Sequence, residues 1–94
     1  MKTHILRTKT LPSLGARPSL TYTLLQEERK LEEGEGLRPS FSLLCYTDND
    51  PQTGVLLPDI TSEKERAEEI FSLFSEHEVT PITATEIMEE LLSR

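Results

Sequence analysis

The chain has 94 residues, a formal net charge of −7, 35% hydrophobic residues and one cysteine. A chain of this length forms a single domain that hides only about 60–70% of the surface its unfolded form exposes, so it has one modest core. The acidic balance excludes general nucleic-acid binding, which needs cations to replace phosphate counterions. A lone cysteine, Cys45, excludes an intrachain disulfide framework and a multi-cysteine metal cluster, and it fits a reducing compartment.

Fifteen leucines, three phenylalanines and two tyrosines supply the core. That suffices for a two-layer domain and is too little for a large buried pocket. The start, MKTHILRTKTLPSLG, has basic residues but lacks the apolar run of a signal peptide. Through Gln26 it carries no acid and weakly mimics an organelle transit peptide, although a strand with an exposed basic face explains it better. No stretch approaches the roughly 18 apolar residues of a membrane span. The expected location is the cytoplasm, with neither membrane nor nucleic acid as partner. Charge is uneven: residues 1–61 hold seven basic against eight acidic side chains, and residues 62–94 hold three against nine. Such an acidic half could attract a basic partner or mimic nucleic acid, and is more often the solvated side of amphipathic helices.

Four segments read as strands. THILRTKT (Thr3–Thr10) is rich in β-branched residues. Ser19–Leu31 sets Leu20, Tyr22 and Leu24 on one face and Thr21 and Thr23 on the other. Ser40–Thr47 sets Phe41, Leu43 and Cys45 together, with Ser42, Leu44 and Tyr46 opposite. Gly54–Ile60 is short and apolar, and its Pro58 suits a strand end or an edge. The connections PSLGARP, EEGEGLRP and DNDPQTG carry turn residues and are too short for crossover helices, so consecutive strands are expected antiparallel.

Two helices follow. SEKERAEEIFSLFSEHE places Ala67, Ile70, Phe71 and Phe74 in one apolar stripe under an acidic outer face, and Ser62 with Glu65 forms a capping-box pattern. The stretch HEVTPITATEI then reads as a corner. Val79 precedes Pro81, which cannot extend the first helix and biases Thr80 away from αR geometry. Thr83 with Glu86 reads as a second capping box, and Ile82 with Ile87 as a hydrophobic staple. A helix of about ten residues is marginal alone and must dock to persist.

The segment DITSEKERAEEIFSLFSEHEVTPITATEIMEELL resembles the C-terminal half of a family of roughly hundred-residue bacterial domains of unknown function, found mostly in clostridia-like Gram-positive bacteria. The family pattern is strands, a helix, an Asn-x-Val-x-Pro joint and a short acidic helix. Matching positions are Val79, Pro81, Glu86, Ile87 and Glu90, whereas Thr83 and Ala84 stand where that family often has His-Leu. The resemblance covers residues 59–92 well and the strands in outline. It implies the fold and no activity.

Candidate chemistry is sparse. Asp48, Asp50 and Asp59 fall at positions 1, 3 and 12 of a calcium-loop spacing, but Thr53 stands where the loop needs Gly, and the last ligand is Asp instead of Glu. A hairpin loop explains the segment better. His4, His77 and Cys45 are far apart and lack paired metal-ligand spacing; His77 suits the C-terminal dipole of the first helix. Cys45 shares a strand face with Phe41 and Leu43, so it reads as a buried thiol with a raised pKa, not a nucleophile. Glu27, Glu28, Glu32, Glu33 and Glu35 form a carboxylate run of the kind that is usually solvated. No phosphate-binding glycine loop occurs.

The expected fold is α+β: a four-stranded antiparallel meander, over about residues 3–60, with two C-terminal helices, over about 62–92, packed on one face. The whole of 1–94 is one domain. Because two helices cover one side, the other must meet water or a partner, and Leu25, Leu44 and Tyr46 lie there, with Leu56 or Leu57 beside them. The expected function is a non-enzymatic protein-interaction or oligomerisation module using either the uncovered sheet face or the acidic helical surface, with an unidentified protein or a second copy as partner and no cofactor or metal. A small ligand- or metal-binding domain using the helix–sheet cleft is the alternative.

Overall fold

Strand pairing follows chain order. The computed structural model describes residues 3–30 and 36–93. Its elements are β1 (Thr3–Leu11), β2 (Leu20–Lys30), β3 (Leu37–Thr47), β4 (Asp50–Thr61), α1 (Lys64–Glu76) and α2 (Pro81–Leu92). The sheet runs β1-β2-β3-β4 with every neighbouring pair antiparallel. This is the expected α+β meander. The carboxylate-run members Glu32, Glu33 and Glu35 lie outside the described residues.

The β3–β4 connection is tighter than the sequence suggested. DNDPQTG is not a seven-residue loop: Asp48 and Asn49 both take positive φ, at 53° and 57°, as the two centre residues of a type I′ turn require. Thr47 then pairs directly with Asp50, and Pro51–Gly54 becomes strand. Gly54 is obligatory there, because a Cβ would lie 2.5 Å from the Cys45 carbonyl oxygen and 2.6 Å from Tyr46 Cβ. Further along β4, Asp59 adopts a φ of 49° at an irregularity in the ladder. Two serines of β3 hold it: Ser40 Oγ donates to Asp59 Oδ1 (2.9 Å), and the Asp59 amide donates to Ser42 Oγ (3.2 Å).

The core lies between the sheet and the helices. Leu20, Tyr22 and Leu24 of β2 and Phe41, Leu43 and Cys45 of β3 are buried on this side. The α1 stripe meets them with Ala67, Ile70, Phe71 and Phe74, and α2 adds Ala84, Met88 and Leu91. Full burial of one large apolar side chain contributes roughly 1.5–3 kcal/mol, so these positions dominate stability. Helix α1 lies across β2 and reaches β3 and β4, whereas α2 lies across β4 and β3.

Both helix starts differ from the capping boxes read in the sequence. The N-cap of α1 is Glu63 without a side-chain cap; the Thr61 hydroxyl accepts the Glu63 amide at 3.1 Å, a turn that bends the chain at Ser62 and leaves Ser62 outside the helix start. At α2, Pro81 occupies the first helical turn, where its fixed φ and missing N–H cost nothing, and Thr80 is the N-cap. The helix therefore begins two residues before Thr83. Thr83 is an N3 residue whose hydroxyl lies 3.2 Å from that of Thr80, so it does not cap. The Ile82–Ile87 staple is also absent. Ile82 is 92% exposed, because residues five apart in a continuous helix point about 140° from one another. Val79 and Ala84, which flank the true N-cap at N′ and N4, are buried in its place.

The end of α1 is a Schellman motif. The Val79 amide donates to the Phe74 carbonyl (3.1 Å) and the Glu78 amide to that of Ser75 (3.4 Å). Glu78 holds the left-handed position, at a φ of 50°, where glycine is usual. That geometry costs a non-glycine residue about 1–2 kcal/mol. The corner is held from below by the sheet: the Tyr22 hydroxyl donates to the Val79 carbonyl at 2.7 Å, and Cys45 Sγ donates to the same oxygen at 3.5 Å. Arg17, in the β1–β2 connection, pairs with Glu78 and donates to the Pro12 carbonyl.

Tyr22→Phe removes one buried hydrogen bond without changing packing, and should lower unfolding free energy in urea by about 1–2 kcal/mol. Ile82→Ala should stay within about 0.5 kcal/mol of the parent, because the side chain touches little. Gly54→Ala should cost roughly 1–3 kcal/mol by forcing β3 and β4 apart. A cost for Ile82→Ala exceeding that of Tyr22→Phe would contradict this account of the corner.

Candidate functional site

Pairing register decides which side chains share the uncovered face. Directly opposed residues point the same way, so Thr8, Thr23, Leu44 and Leu56 form one row across all four strands. Ile5, Leu25 and Ser42 form the row on one side of it, and Thr10, Thr21 and Tyr46 the row on the other. The structure thus brings Leu25, Leu44 and Tyr46 together as expected from alternation. It also resolves the Leu56/Leu57 choice: Leu56 is on the open face and 51% exposed, while Leu57 is in the core.

Ile5 is the member that sequence reading missed. A register shift between Ile5 and Arg7 turns Leu6 inward, so simple alternation along β1 fails there. Ile5 is 67% exposed and stands at the end of the Leu25 row. Between the large side chains the face is floored by Thr21, Thr23 and Ser42, all buried despite lying on the side without helices. The Thr10 and Thr21 hydroxyls are hydrogen-bonded at 3.1 Å. The rows through Leu44 and Tyr46 carry no charged side chain; the Leu25–Ser42 row meets Asp59 on β4, whose amide donates to Ser42 Oγ and whose carboxylate accepts from Ser40 Oγ, and Glu27 stands opposite Ser40 in the next row.

The corner residues sit on the opposite side of the molecule. Val79 is buried, Ile87 is half-buried against the core, and Ile82 and Glu86 face water. The corner is therefore a structural joint, and it lines one wall of a groove of about 210 Å³ between the helices, with Leu73, His77, Ile87 and Leu91. A second cleft, of about 620 Å³, lies between β1 and α1. Arg7 and Lys9 form its β1 side; Glu65, Glu68 and Glu76 stand on the α1 side. Arg7 Nε donates to Glu68 Oε1 at 2.7 Å and holds that carboxyl below its ordinary range.

No group of three or more metal-ligating side chains comes together among the described residues. Asp48 and Asp50 are at the hairpin tip, while Asp59 is held by Ser40 far along β4, because the two-residue turn leaves no ion-binding loop. His4 is on β1, His77 caps the end of α1, and Cys45 is under Val79. No helix among the described residues is long and apolar enough to cross a membrane.

Burial alone pushes the Cys45 thiol up to about 11, from an ordinary 9.0. Burial also drives the Tyr22 hydroxyl well above the phenol range, with Cys45 and Glu78 adding to the effect and Arg17 opposing it. Both groups keep their protons in the folded state after the unfolded chain has lost its own. Their contribution to stability is complete below pH 9 and falls as pH rises, with the Cys45 share lost by about pH 11. That share is of order 2–3 kcal/mol. Urea midpoints should therefore drop between pH 9 and 11, less steeply in Cys45→Ala, and native Cys45 should resist Ellman's reagent near neutral pH. Rapid stoichiometric labelling of the folded chain would show the thiol to be accessible.

No curated protein and no solved structure matches this chain. A family model described as "Family of unknown function (DUF6514)" matches residues 1–94, and the chain belongs to that family.

Proposed function

We propose that the chain is a non-enzymatic protein-interaction module that works through its uncovered sheet face. The observation that supports this most directly is the cluster of Leu44 and Leu56 in one row with Leu25 and exposed Ile5 in the next, an apolar group on a side that neither helix covers. Exposed apolar groups clustered in this way mark contact surfaces in small domains. The lone, buried Cys45 and the resemblance of residues 59–92 to bacterial domains support a bacterial, cytoplasmic setting.

A photo-crosslinking side chain placed at Leu56 tests this in the native host. Discrete crosslinked species from position 56, absent when the probe replaces Glu89 on the exposed side of α2, are the expected result. Equal or absent crosslinking at the two positions would overturn the reading.

A second reading is a small-ligand site in the cleft between β1 and α1, whose volume and converging Arg7 and Lys9 favour an anionic group. The Arg7–Glu68 pair and the glutamates on the α1 side weigh against it.

A further inference from the structure

We infer that α2 is a hinged flap: it leaves the sheet as one unit about the Thr80–Pro81 joint, and Arg66 of α1 is the latch that holds its far end down. This concerns the helical side and stands apart from the reading of the open face. The two ends of α2 are held differently. At the first, the Val79 carbonyl is fixed to Tyr22 and Cys45, so the corner stays with the sheet. Pro81 follows in the first helical turn and, lacking an N–H, offers no donor there to tie α2 back to α1. At the other end, Arg66 Nη2 donates to the Leu91 carbonyl at 3.2 Å. That bond lies about 15 Å along the helix from the joint, where a swing about the joint would be widest.

Little in α2 itself favours its persistence away from the sheet. Its 12 residues are few for an isolated helix in water. The last carbonyls of a helix lack partners within it and form the negative end of its dipole. A basic side chain in the last turn would answer both needs, but α2 has none there and instead carries Glu89 and Glu90. Arg66 supplies that missing cation from the neighbouring helix. Its guanidinium is shared, because Glu69, one turn along α1, also pairs with it. Packing is sparse as well: Ala84, Met88 and Leu91 are the buried side chains of α2, while Ile82 and Leu92 lie toward water. Each helix makes its main contacts with the sheet and not with the other helix. The groove of about 210 Å³ runs between them, with Leu73 and Phe74 on one wall and Ile87 and Leu91 across the gap. A segment with few buried contacts and one boundary joint opens as a unit while the rest of the fold stays closed.

The test is native-state amide hydrogen exchange on the full chain, followed residue by residue at low urea concentrations. The Ile87, Met88 and Leu91 amides should share one opening equilibrium. Their protection should be at least roughly tenfold below that of Tyr22 and Leu24 in β2 and Ile70 in α1. The urea dependence of that opening should be shallower than that of global unfolding, because less surface is exposed. Arg66→Ala should keep the parent's circular dichroism, lower protection of the three α2 amides by roughly three- to tenfold, and leave Tyr22 and Leu24 unchanged. Arg66→Lys, which keeps a cation at the end of α2, should recover part of that loss. In the parent chain, α2 amides that exchange with the protection and urea slope of the central strands would overturn the flap. A gradient of protection falling from Ile87 to Leu91 would show fraying of the helix end and overturn it too. Equal losses across all elements in Arg66→Ala, or none in α2, would overturn the latch.

Discussion

The Val79 carbonyl is the point at which the two layers are joined. Its oxygen accepts the Tyr22 hydroxyl and the Cys45 thiol, two buried groups from adjacent central strands. A buried phenol without a partner is costly, so Tyr22 and the corner carbonyl each satisfy the other's need. The consequence runs through the architecture. Because the corner is tied down between α1 and α2, both helices stay on one side of the sheet, and the acidic helical layer is held over the apolar one. The Schellman turn that aims the Val79 carbonyl at the sheet requires Glu78 in left-handed geometry, and the Arg17 ion pair supports that residue from the β1–β2 connection.

The same anchoring creates the asymmetry from which a function can be argued. Four strands are wider than two helices can cover twice, so one face of the sheet is left without a helix. The turn chemistry keeps that face continuous: the type I′ turn at Asp48–Asn49 and the close approach at Gly54 hold β4 beside β3. Register then aligns Leu44 with Leu56 and Thr23 with Thr8. A surface is thereby assembled from residues that are far apart in the chain and unremarkable one by one. Charge, meanwhile, is gathered on the helices, at the strand ends and on the side of β1 that faces α1.

The β1 edge shows how the two sides are kept distinct. The bulge at Leu6 turns that side chain inward and sends Arg7 to Glu68 on α1, while Ile5 remains on the open side. Basic side chains along an edge strand also discourage uncontrolled pairing with other strands. The Arg7–Glu68 pair is solvent-exposed and contributes little to stability, of order 0–1 kcal/mol. Its role is one of placement.

Much of this was legible in the residues themselves. Alternation assigned the core faces of β2 and β3 correctly, from Leu20, Tyr22 and Leu24 to Phe41, Leu43 and Cys45, because both strands are central and their period of two is unbroken. The 3.6-residue stripe of α1 was equally clear, and short turns implied the meander. Where local signals competed, sequence alone was insufficient. Thr83-x-x-Glu86 matches a capping box, yet the helix starts at Pro81, because burial of Val79 and Ala84 and the hold on the Val79 carbonyl favour the earlier start. Ile82 consequently points to water. Nor could alternation place Ile5 beside Leu25 or choose Leu56 over Leu57, since bulges in β1 and β4 shift the parity of everything beyond them. Local periodicity is a property of consecutive residues and survives in the sequence; register, bulges and the anchoring of a corner are set by partners from distant strands, and only the folded chain brings those partners together.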